Sequence, residues 1–126
     1  MSVFYLAGKS HLVEVYGDEA LDLACCGTPL KAIAPNSVDA AKEKHVPVAT
    51  YDAAKHEVHV KVGSVTHPMT EEHLIDCIIL MTKKGVQRVN LTAVDAPEVT
   101  FRLMDGDAPV KVIEHCNLHG LWQMEF

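Results

Sequence analysis

Eight histidines and four cysteines in a chain of 126 residues are the side chains whose chemistry most needs explaining. Cys116-Asn117-Leu118-His119-Gly120 is the sharpest pattern among them. A cysteine and a histidine separated by two residues and followed by glycine describe a tight turn that presents a thiolate and an imidazole to one centre. Backbone N–H groups inside such a turn can donate to the sulfur and tune its donor strength. His67 and His73 bracket Pro68-Met69-Thr70-Glu71-Glu72. That spacing does not fit one helical face, but a loop forced by Pro68 can fold back so that both rings reach the same ion. His45 follows Glu43-Lys44 and precedes Val46-Pro47.

A single histidine is more often a surface or core residue than a ligand, so pattern carries the argument and number does not. His56 and His59 are expected on opposite faces of one strand, where they cannot readily share an ion. His11 has no ligand pattern. His115, directly before Cys116 on a strand, is expected to point to the opposite side from it. Cys77, within an apolar run, reads as a small buried hydrophobe. Spacing alone leaves three functional readings open. Cys116, His119 and further histidines could close a tetrahedral structural zinc site, they could belong to a simple redox carrier, or they could form a catalytic centre with an open position.

These ligands must be held by a β framework. Val58, Val60 and Val62 alternate with Glu57, His59 and Lys61, and Val99, Phe101 and Leu103 alternate with Thr100 and Arg102. Such period-two patterns mark half-buried strands. The stretches 87–93 and 110–115 look similar, with turn signals at Lys84-Gly85, Asp95-Ala96-Pro97 and Asp105-Gly106-Asp107. Leu74 to Met81 is a buried strand, interrupted by Asp76 and far short of the ~20 residues of a membrane helix. Several short strands at this spacing predict an all-β sandwich. Asn36 and Ser37 are helix-capping types that open an Ala-rich helical turn or two over 38–44, ended by Pro47. Residues 1–36, broken by Gly8, Gly17, Gly27, Pro29 and Pro35, are too few for a large core and are expected to lean on the rest of the chain or on a partner subunit.

Lys+Arg 11 against Asp+Glu 17 gives a net charge of −6. No basic run offers a footprint to nucleic acid or to an anionic membrane. Val3-Phe4-Tyr5-Leu6-Ala7 is apolar, but no basic region precedes it and Lys9 and His11 follow, so it does not read as a signal peptide and a cytoplasmic location is expected. Cys25 and Cys26 are poorly placed to bridge each other, and four cysteines are too few for a disulfide scaffold.

The runs "SVDAAKEKHVPV", "VKVGSVTHPMTEEH" and "EHCNLHGLW", in that order from Ser37 to Trp122, closely resemble the superoxide reductases, the family of desulfoferrodoxins and neelaredoxins. The resemblance implies a mostly β chain: an immunoglobulin-like antiparallel β-sandwich over 37–126 that carries a mononuclear non-haem iron, with a small desulforedoxin-like segment over 1–36. It implies His45, His67, His73 and His119 as equatorial ligands and Cys116 as the axial one. It further implies Glu43 as a sixth ligand of the oxidised iron and Lys44 as the residue that attracts substrate and assists protonation. The implied activity is one-electron reduction of superoxide to hydrogen peroxide, with iron re-reduced by an external donor such as rubredoxin, and a homodimer is expected. The N-terminal segment departs from the longer members of the family. They hold a second iron with a CxxC and a CysCys pair, whereas this chain has only Cys25-Cys26. One iron per chain and no second four-cysteine centre are therefore expected.

Overall fold

The computed structural model describes residues 1–8, 11–36 and 45–126. The helical turn expected over 38–44, and with it Glu43 and Lys44, lies outside the described residues. Among the described residues every regular element is a strand, and every strand pairing within the sheets is antiparallel. None of the described residues forms a helix long and apolar enough to cross a membrane. The chain divides into two compact units, Met1–Ala34 and Pro35–Phe126.

In the first unit β1 (Ser2–Ala7) lies between β2 (His11–Tyr16) and β5 (Lys31–Ile33). Phe4 and Tyr5 on the central strand are buried, and the Tyr5 hydroxyl both donates to the Leu21 carbonyl and accepts from the Leu21 N–H. A separate small hairpin joins β3 (Ala24–Cys25) to β4 (Thr28–Pro29). Its two turn residues, Cys26 and Gly27, both have positive φ, at 51° and 80°. That combination is required by the tight turn whose twist matches a two-residue hairpin. Cys25 and Cys26 are exposed free thiols with their sulfurs 3.9 Å apart, well beyond the ~2.05 Å of a disulfide.

The second unit is a sandwich of two sheets. One has the order β10 (Glu98–Arg102), β7 (Glu57–Val62), β6 (Pro47–Asp52). The other has the order β12 (Gly120–Glu125), β11 (Pro109–Cys116), β8 (Ile75–Thr82), β9 (Val86–Asn90). The alternation read in the sequence sets which side chains face inward: Val58, Val60, Val62 and Phe101 from the first sheet meet Ile75, Ile78, Leu80, Val112 and Cys116 from the second. From Cys77 to Met81 the run through β8 is continuously apolar because that strand is central and buried on both faces, so alternation has no solvent side to mark. β9 stops at Asn90, short of the expected Ala93, because Asp95 folds back: its carboxylate accepts from the Thr92 N–H at 2.8 Å and from the Thr92 hydroxyl at 2.9 Å. His56 is not on β7 but in the turn before it, at φ 53°.

Ile78 is fully buried in this core and Val94 is 93 % exposed. Ile78→Ala should cost about 2–5 kcal/mol of unfolding free energy, whereas Val94→Ala should stay within ~0.5 kcal/mol of the parent. Denaturant titration of the metal-free chain checks the contrast, and equal losses would contradict the core assigned here.

Candidate metal centre

Three segments converge beyond the strand ends. His45 lies two residues before β6, His67 and His73 lie on the connection from β7 to β8, and Cys116 and His119 flank the turn from β11 to β12. The β7–β8 connection is pinned near its start by the His67 N–H donating to the Val62 carbonyl at 3.0 Å. A reciprocal pair of backbone bonds, Thr70 to His73 and His73 to Thr70, closes the turn before His73. Asn117 then ties this connection to the β11–β12 turn. Its side-chain oxygen accepts from the Leu74 N–H at 3.0 Å, and its side-chain amide donates to the Glu72 carbonyl at 3.1 Å. At Gly120, φ is 82°, a conformation that favours glycine and lets the turn close directly into β12.

The four imidazoles stand as the corners of a square. Ring centroids of successive neighbours are 5.0 Å apart for His45 and His67, 4.6 Å for His67 and His73, 5.0 Å for His73 and His119, and 4.8 Å for His119 and His45. The diagonal from His45 to His73 is longer, at 6.4 Å. Each neighbouring pair meets edge to face, with interplanar angles from 68° to 83°. One donor atom from each of His45, His73, Cys116 and His119 lies within 4.8 Å of the others. Two ring nitrogens, His45 Nε2 and His119 Nδ1, are 2.9 Å apart, and Cys116 Sγ is 3.5 Å from His119 Nδ1. His67 joins the square of rings but stands outside that tighter group of four donor atoms.

The residues fit a cation. His67 is 1 % exposed and its Nδ1 donates to the Pro68 carbonyl at 2.7 Å. That bond fixes the tautomer and leaves the lone pair on Nε2, which is buried without a hydrogen-bond partner. Burial, then the neighbouring imidazoles, hold the ring's pKa down at about 4 against the opposing pull of the Pro68 carbonyl, so the ring is neutral at physiological pH. An orphaned buried acceptor of this kind is what a metal ion satisfies. Burial raises the Cys116 thiol, and the Glu114 and Asp76 carboxylates add to the rise, while the backbone N–H groups of Leu118 and His119 pull it down. Those two donors are the turn amides anticipated from the sequence pattern. A bound cation would oppose that rise and favour the thiolate.

The remaining histidines and cysteines behave differently. His59 is exposed and shares a hydrogen bond of 2.8 Å with the Thr100 hydroxyl. His115 turns away from Cys116, with Nδ1 2.9 Å from both carboxylate oxygens of Asp76. Cys77 is a buried free thiol whose pKa is pushed up to about 12 by burial first and by Asp76 next. Sequence reasoning missed three residues that shape the site. Asn117 clamps the two ligand-bearing turns. Asp76 captures His115. Trp122 stacks on the His45 ring at a centroid distance of 4.7 Å and an interplanar angle of 21°, and its indole N–H donates to the His119 carbonyl at 3.2 Å. The motif that ends at Trp122 contains all the signal there was for it.

Comparison with known proteins places this arrangement. The desulfoferrodoxin family model matches residues 37–125. The desulfoferrodoxin of Syntrophotalea carbinolica is 48% identical to this chain over 91% of its length and 88% of the relative's. The crystal structure of the superoxide reductase from Treponema pallidum has a TM-score of 0.85 and 39% identity, covering 99% of this chain and 98% of that one. A superoxide reductase from Giardia intestinalis, described as a one-iron form, has a TM-score of 0.56 and 33% identity, covering 68% of this chain and all of that one. With three quite different kinds of likeness agreeing on the part of the chain that carries the imidazole square, this protein belongs to the desulfoferrodoxin family of superoxide reductases.

Proposed function

We propose that the chain reduces superoxide to hydrogen peroxide at one mononuclear iron held by His45, His67, His73, His119 and Cys116. The observation that carries this reading is the square of four imidazoles with a buried thiol beside it, in a member of a family that includes superoxide reductases. Iron, when bound, supplies the single electron, and an external donor restores it. A closed tetrahedral zinc site would leave the fourth ring of the square without a role, and the likeness is to superoxide reductases, so the zinc reading is not favoured.

The chain's own residues account for the rest of the chemistry. Neutral imidazoles and one thiolate bring a single negative charge to a divalent ion, leaving the centre cationic toward a small anion. The whole chain is at −6, so superoxide approaches against an unfavourable global field and needs a local positive focus. Lys44, directly before His45 in the sequence, is proposed to add its ammonium to that focus and to supply or relay a proton as peroxide leaves. Glu43 is proposed to reach the sixth position of the oxidised centre. The unit Met1–Ala34 is read as a desulforedoxin-like remnant that retains Cys25 and Cys26 and holds no second iron. A rubredoxin-like electron donor and a homodimer belong to the same proposal and rest on the family resemblance, and a cytoplasmic location is proposed with them from the sequence reading of residues 3–11.

Iron per chain in purified variants tests the ligand set. Replacement of His45, His67, His73 or His119 by Ala, or of Cys116 by Ser, should lower it, and His56→Ala and His59→Ala should not; loss of metal in His56→Ala with retention in His67→Ala would reverse the assignment. Cys25→Ser with Cys26→Ser should leave both iron content and superoxide reduction unchanged, and a fall from two irons to one would reveal a second centre. Lys44→Ala should slow the second-order reaction with pulse-generated superoxide by about tenfold at low salt and flatten its ionic-strength dependence. Glu43→Ala should leave that rate nearly intact while changing the oxidised spectrum and admitting added anions. A Lys44→Ala protein as fast as the parent would end the steering argument.

A further inference from the structure

The indole of Trp122 touches two of the proposed ligand residues at once, the ring of His45 and the carbonyl of His119. We propose that Trp122 is a positioning residue of the metal centre, setting the ring plane of His45 through its aromatic face and the turn that carries His119 through its N–H. The inference rests on the ligand set given above and adds to it a residue that coordinates nothing.

The backing of the indole is rigid on both sides. Trp122 is paired in β12 with Glu114 of β11. On the other side Asn36 forms a parallel bridge to it: the Asn36 N–H donates to the Leu121 carbonyl at 2.9 Å, and the Gln123 N–H donates to the Asn36 carbonyl at 2.7 Å. The Asn36 side-chain amide adds a second bond to the Leu121 carbonyl at 3.2 Å. His45 lies before the first residue of β6. The flat aromatic surface 4.7 Å away at an interplanar angle of 21° is the one near-parallel ring against it among the described residues, and so bears on the plane of the imidazole. An imidazole bound to a cation gains partial positive charge, which the electron-rich face of an indole favours. The stack therefore strengthens when metal is present. Partners of this kind typically change metal affinity by about 10–100-fold when removed.

The test is titration of the metal-free, full-length chain with Co(II), followed by visible absorption, in the parent, Trp122→Phe, Trp122→Leu, His45→Ala and the double variant His45→Ala with Trp122→Leu. Trp122→Leu, which keeps bulk and loses the aromatic face, should weaken Co(II) binding by about 10–100-fold. Trp122→Phe, which keeps the face and loses only the N–H, should recover most of that loss. In the His45→Ala background Trp122→Leu should have only the small further effect of losing the N–H bond to the His119 carbonyl, because residues acting through one another are not additive. A purely structural role would lower the denaturation midpoint and weaken binding equally in both backgrounds, and that result would overturn the proposal. So would a Trp122→Leu affinity within about twofold of the parent. Parent-like binding by His45→Ala alone would overturn the ligand reading itself, a pattern distinct from both. Trp122 is the chain's one tryptophan, so emission gives a readout that needs no Trp122 variant: His45→Ala should change it in the metal-free protein, and identical spectra would also refute the stack.

Discussion

A buried imidazole nitrogen without a hydrogen-bond partner, on a ring packed against other imidazoles, is the condition around which this end of the sandwich is organised. His67 meets it most fully. The Pro68 carbonyl fixes its tautomer, burial keeps it neutral, and its Nε2 is without a hydrogen bond. Leaving such an acceptor unsatisfied costs on the order of 1–3 kcal/mol. Collecting several neutral donors around one point is therefore unfavourable unless a cation repays the desolvation. The fold supplies the preorganisation in advance. Two loops and one segment before a strand are held together by Asn117, by the Thr70–His73 turn and by the Trp122 indole, so the rings are gathered by protein contacts alone.

Most of the sandwich was legible in the sequence because its strands have one wet face. Val58, Val60 and Val62 alternate with exposed or partly exposed residues along β7, and their register with β6 and β10 follows from that alternation. The central strand β8 carried less information, since a strand buried on both sides has no polar face to mark its period, and only its length and flanking turns identified it. The end of β9 was misjudged because the apolar Leu91 continues the pattern while Asp95 has already turned the chain. The carboxylate that stops the strand acts through a side-chain bond that alternation does not encode.

The site was legible in a different way. Cys116-x-x-His119-Gly120 describes its own geometry, because a turn that short leaves the sulfur and the imidazole few places to go. His67 and His73 depend on how a longer connection folds, and His45 on what it packs against. Local spacing permits these placements without requiring them, and the family motifs supplied what spacing lacked. Asn117 and Trp122 illustrate the limit. Each acts by a long-range bond, to residues 72 and 74 in one case and to the ring of residue 45 in the other, and no local pattern marks a residue for such a role.

The one irregularity in the β8–β11 ladder near the site separates the surroundings of His115 from those of Cys116. His115 pairs with Cys77 and Cys116 with Ile75, so the register shifts beside Asp76, which pairs with neither. A bulge of this kind re-aims side chains. It leaves Cys116 buried in the core-facing row with its sulfur 3.5 Å from His119 Nδ1, and it leaves the Asp76 carboxylate within 2.9 Å of His115 Nδ1. Adjacent histidine and cysteine residues next to a cation would otherwise offer two competing donors from one strand, and imidazole and thiolate both bind iron and zinc well. With His115 committed to a carboxylate on the neighbouring strand, Cys116 is the residue of β11 that joins the group able to hold a metal. Burial raises the Cys116 thiol most, and the same carboxylate, after that of Glu114, adds a small part to the rise.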